Sequence, residues 1–78
     1  MEKQTYVLYI YRELTRTEIN NPYDVIVLRD VTREEAFANL NWYQNEYEYK
    51  RGMLNYYELM DMDKNIVFRN FIEEDIKD

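Results

Sequence analysis

The sequence predicts an α+β fold of order ββαββ, with one helix packed on a small four-stranded antiparallel or mixed sheet. Three observations carry that prediction. Two strand-like runs open the chain, a helix bracketed by start and stop signals follows, and a tight turn then separates two further apolar runs.

From Thr5 to Arg12 nearly every residue is β-branched or aromatic, which suits a pleated strand. Alternation puts Tyr6, Leu8 and Ile10 on one face and Val7, Tyr9 and Tyr11 on the other. Both faces can be buried, and the Leu/Ile face is the expected core side. Residues 14–23 collect Thr15, Arg16, Thr17, Asn20, Asn21 and Pro22, turn formers that predict an exposed loop. A second strand is predicted over Asp24 to Leu28, where Val25-Ile26-Val27-Leu28 reads as a buried run.

The helix has the sharpest local signal. In Thr32-Arg33-Glu34-Glu35 a threonine hydroxyl can accept from the Glu35 amide while the Glu35 carboxylate accepts from the Thr32 amide, forming a capping box. Glu34 and Glu35 oppose the positive end of the helix dipole, and Lys50 and Arg51 oppose the negative end. Gly52 then supplies the left-handed residue that ends helices. A helix from Arg33 to about Arg51 follows, about 19 residues or roughly 28 Å long. Beyond it, residues 54–62 suit strand or helix, but the turn-like Asp63-Lys64-Asn65 before Ile66-Val67-Phe68 favours a hairpin. The acidic tail 73–78 is expected to fray.

Seventy-eight residues predict one domain with a thin stability margin. With no Cys and no His, neither a disulfide framework nor a zinc site is available to widen it. Self-association remains open. A missing leader-like segment, no long apolar run and no cysteine together suggest a cytoplasmic setting without membrane partners.

The missing Ser, Cys and His remove the common nucleophiles and the side chain that titrates near neutrality, so no catalytic residue is assigned. One glycine cannot build a phosphate-cradling loop, and no cofactor is expected. Asp61-Met62-Asp63-Lys64-Asn65 opens like a calcium loop. Ile66 then stands where the loop needs glycine and Ile72 where it needs a bidentate glutamate, so no metal is expected either. The net charge of −6 repels phosphate backbones, which argues against direct nucleic-acid binding.

Binding to another protein is therefore the leading expectation. On a helical wheel Ala36, Leu40, Tyr43 and Tyr47 fall within about 60°, with Phe37 at the margin, and form the core stripe. Ala38, Trp42 and Tyr49 lie roughly 160° away and form a candidate partner-binding face, for a protein partner or a homodimer. The alternative is that the 15–23 loop or the tail folds over Trp42.

A second expectation is an acidic surface that mimics nucleic acid and blocks a basic groove on another protein. Residues 53–78 hold seven acidic and three basic side chains, carrying −4 of the −6. Glu58, Asp61, Asp63, Glu73, Glu74, Asp75 and Asp78 would present that charge. In make-up the chain is similar to small phage-encoded inhibitors of host enzymes and defence systems, a likeness of composition alone.

Overall fold

The computed structural model describes residues 2–78 and has the predicted α+β architecture. One main helix lies on a four-stranded open sheet of order β2-β1-β3-β4, and every pairing is antiparallel. The mixed alternative does not arise. Strands β1 (Gln4–Tyr11) and β3 (Tyr56–Asp61) are central, while β2 (Asp24–Val31) and β4 (Ile66–Arg69) are the edges.

The face of β1 carrying Tyr6, Leu8 and Ile10 turns to the helix and is buried with Leu28, Tyr57 and Leu59. Each fully buried Leu or Ile stabilises the fold by about 1.5–3 kcal/mol relative to exposure. This cluster also receives Ala36, Leu40 and Tyr47 from the helix, with Phe37 and Tyr43 packed at its margin.

Strand β2 runs three residues beyond the predicted Leu28. Tyr6 pairs with Leu28 and Gln4 with Val31, so β2 spends one residue more than β1 over that stretch. The extra residue makes a bulge, and Asp30 takes a left-handed φ of 55° there. Polar Arg29-Asp30 breaks the apolar run, which hid this extension from the sequence pattern.

The predicted 14–23 loop contains a short helix α1 (Arg16–Asn20). Thr15 Oγ1 accepts from the Glu18 amide at 3.2 Å, while the Glu18 carboxylate turns back to the Arg12 and Glu13 amides. The tail, expected to fray, runs back along this segment. The Lys77 amide donates to Leu14 O at 2.8 Å and the Arg16 amide to Lys77 O at 2.9 Å. Arg16 also pairs with Glu73 at 3.1 Å and Asp78 at 3.4 Å.

The β3–β4 hairpin forms as predicted. Its turn places Lys64 at φ 65°, and the Asp61 carboxylate closes it by accepting from the Asp63 and Asn65 amides, both at 2.9 Å. Those bonds, the Asn65 amide foremost, hold the Asp61 carboxyl below its ordinary pKa. Among the described residues no helix is long and apolar enough to cross a membrane.

Candidate functional site

Helix α2 (Arg33–Gln44) begins at the predicted capping box: Thr32 Oγ1 accepts from the Glu35 amide at 3.1 Å, and Glu35 Oε1 from the Thr32 amide at 2.8 Å. It continues without a break as a π-helical turn (Asn45–Lys50). A π-turn holds more residues per turn than an α-turn, so each step rotates the side chain by less than 100°. Ala38 and Trp42, four residues apart within α2, therefore share an outward face as expected. Tyr49 lies beyond the widening and is swung out of line with them, which corrects the single stripe drawn from an ideal wheel.

Trp42 is 56% exposed and Tyr49 86%. Their settings differ. The Trp42 indole stands edge-on to Tyr43 at a centroid distance of 4.8 Å, and Tyr43 in turn leans on buried Tyr47 at 6.3 Å. The Tyr47 hydroxyl donates to Asp24 Oδ2 at 2.7 Å, fixing this aromatic chain to the start of β2. Burial first, then this bond, pushes the Tyr47 phenol pKa up to about 12. Neither the 15–23 loop nor the tail contributes an aromatic contact to Trp42; these two segments pair with each other instead.

The side of the helix that carries Trp42 can be located. Phe37 projects from the opposite flank and meets Phe68 of β4 edge-to-face at 6.0 Å. Glu48, on that same flank, lies near the Tyr57 hydroxyl of β3. Because the sheet order is β2-β1-β3-β4, the remaining flank, with Glu35, Asn39 and Glu46, is turned to the β2 side of the sheet, and Trp42 projects further round the helix, away from the sheet. On the sheet face turned away from the helix, Val25 and Val27 are each 47% exposed. They lie beside Tyr9 and Val7 of β1, their register partners. Sequence reasoning missed this edge, because which strand ends a sheet depends on pairing order.

The acidic set is divided by the structure. Glu58 is withdrawn from any mimicking surface: it is buried, accepts from the Tyr11 hydroxyl at 3.0 Å and is clamped by the Arg69 guanidinium. Phe71 seals the cluster, edge-on to Tyr11 at 5.8 Å with the Arg69 guanidinium 4.8 Å from its ring. Its signal was register, since Glu58 lies opposite Arg69 across the hairpin. Asp61 closes the turn, Glu73 pairs with Arg16, and Asp75 accepts from the Ile72 amide at 3.0 Å. Asp63 and Glu74 are exposed, on different segments.

A shallow cleft of about 560 Å³ lies on the helix-free face, with Tyr9, Tyr11, Glu58 and Met60 as its floor and Pro22 and Lys64 at its rim. Tyr9 and Tyr11 stack there at 6.5 Å. The Glu58 carboxylate is already occupied by Tyr11 and Arg69, so the floor offers aromatic surface and no free acid or base. On the helix side, the Asn55 amide and the Tyr57 hydroxyl are buried without hydrogen-bond partners beneath the π-turn. Among the described residues no three acidic side chains gather as a metal site.

Comparison with known proteins returns no match among protein families, curated proteins or solved structures.

Proposed function

We propose that this chain is a non-enzymatic binding module that docks on another protein through the exposed face of α2, with Trp42 as the anchor. The observation that carries this reading is the setting of Trp42, more than half exposed yet oriented by Tyr43 and Tyr47. An aromatic side chain held in place before contact adds a large rigid area at little further entropic cost, as interface hot spots do. Freedom from cysteine suits work in a reducing cytoplasm.

The single tryptophan makes the test direct. A partner captured with the wild-type chain is purified and its affinity measured with wild-type, Trp42→Ala and Leu54→Ala proteins; Leu54 is 78% exposed and lies outside the proposed face. Trp42→Ala should weaken binding at least 10-fold, Leu54→Ala should leave it unchanged, and emission should shift to the blue in the complex. Binding that ignores Trp42→Ala and collapses as salt rises would refute the reading and restore the acidic-surface alternative.

A further inference from the structure

The largest unmet hydrogen-bonding demand in the molecule lies inside it. Asn55 is 4% exposed and Tyr57 0%. Asn55 Oδ1, Asn55 Nδ2 and the Tyr57 hydroxyl are cut off from solvent, and each bonds to no group of the protein. Polar groups buried in that way lose their hydration with nothing in return, and native structures satisfy nearly all of them with protein or with ordered water. Elsewhere this chain follows the rule: Glu58 has Tyr11 and Arg69, and the Tyr47 hydroxyl has Asp24. Among the described residues these three side-chain atoms are the exception.

Their place in the fold brings them together. Tyr57 pairs with Ile10 across β1 and β3 and turns its ring to the helix side, into the core cluster. Asn55 lies in the connection after Gly52, where the Met53 amide closes the π-turn on Tyr47 O at 2.8 Å. Both Asn55 and Glu48, a half-buried member of that turn, neighbour the Tyr57 hydroxyl. A π-turn carries more residues per turn than an α-turn and is therefore wider, so it arches over these groups instead of packing down on them.

The lining restricts the occupant. The amide nitrogen donates, the amide oxygen accepts, and the hydroxyl does either. Burial, the largest influence on it, pushes the Tyr57 phenol up to about 12, so the hydroxyl keeps its proton at neutrality. An anion would meet the Glu48 carboxylate. A calcium ion takes about six to eight oxygens, more than one carboxylate, one amide and one phenol supply. What fits is small and uncharged, and both donates and accepts.

We infer that Asn55, Tyr57 and Glu48 form a binding site for internal water that joins the π-turn to β3. A buried water typically makes about three hydrogen bonds, which matches the three orphaned atoms, and Glu48 offers a further acceptor. The site lies in the interior between helix and sheet, so it is independent of docking through Trp42.

Water-to-protein nuclear Overhauser spectra and oxygen-17 relaxation dispersion read the site. The wild-type chain should give cross-peaks from water to the Asn55 side-chain amide protons. Asn55→Leu combined with Tyr57→Phe should lose at least one long-lived water, whereas Leu54→Ala, at a neighbour that is 78% exposed, should lose none. Should the double variant fail to fold, the wild-type cross-peaks and a wild-type crystal structure decide. Missing cross-peaks, an unchanged count of long-lived waters in a folded double variant, or electron density in which Asn55 and Tyr57 bond directly to each other or to Glu48 would each overturn the inference.

Discussion

Removing the Arg69 guanidinium while keeping an unbranched apolar stem, as in Arg69→Met, isolates the Glu58 carboxylate. Glu58 is 6% exposed, and the guanidinium is its only charge partner within the hairpin, the Tyr11 hydroxyl being its other bond. Stranding a buried charge in this way costs about 3–5 kcal/mol. A chain of this length has a total stability of roughly 4–12 kcal/mol. Arg69→Met should therefore lower the melting temperature by at least about 12 °C, at 4–8 °C per kcal/mol for a domain this small. Replacing the whole network, as Glu58→Met with Arg69→Met and Tyr11→Phe, leaves no stranded polar group and should recover most of the loss, because an apolar cluster avoids the desolvation of the ion pair. Urea and thermal melts followed by far-UV circular dichroism measure both. A cost below about 1 kcal/mol for Arg69→Met, the range of exposed pairs, would show that Glu58 is hydrated and that Phe71 does not seal it.

Two further predictions concern the phenols and the helix end. Burial raises the pKa of Tyr47 and Tyr57 to about 12 and that of Tyr11 further, above an ordinary value of 10.0. The unfolded chain then releases these protons first, so their stabilisation is whole below pH 10 and is lost as pH rises toward 12. Melting temperature should fall across that window, with part of the phenolate absorbance appearing only on unfolding; uniform titration of all nine tyrosines near pH 10 with the fold intact would contradict it. Gly52 sits at φ +64° with open space where a Cβ would lie, so Gly52→Ala should cost about 1–2 kcal/mol from backbone strain alone, and Gly52→Asn less, by denaturant melts.

The parts of this molecule legible in its sequence are those fixed by neighbours along the chain. The Thr32 capping box, the core stripe of Ala36, Leu40, Tyr43 and Tyr47, and the inward Tyr6-Leu8-Ile10 face depend on spacings of two to four residues. The same kind of signal was present and unread at Thr15-Arg16-Thr17-Glu18, which repeats the threonine-to-glutamate spacing of the longer helix and caps α1. What spacing cannot give is register. The burial of Glu58 depends on Arg69 across the hairpin, the free edge of β2 on strand order, and the docking of the tail on a partner more than 60 positions earlier. The exposed position of Trp42 was deducible, whereas the free edge of β2 was not.

The π-turn explains why Trp42 rather than Tyr49 anchors the proposed face. In the common glycine-terminated helix end, the residue after the glycine bonds a carbonyl five positions back. Here the Met53 amide reaches six positions, to Tyr47 O at 2.8 Å, so the widened turn accommodates one extra residue before Gly52 reverses the chain. An unwidened helix would also turn Tyr47 inward and Tyr49 outward; the widened turn rotates Tyr49 away from the line of Ala38 and Trp42. Tyr49, with no aromatic neighbour to limit it, must be ordered by whatever it meets, at a cost of about 0.5–1.5 kcal/mol. Trp42 is already constrained by Tyr43 and, through Tyr47, by β2. The helix thus presents two exposed aromatic side chains of which only one is organised before contact.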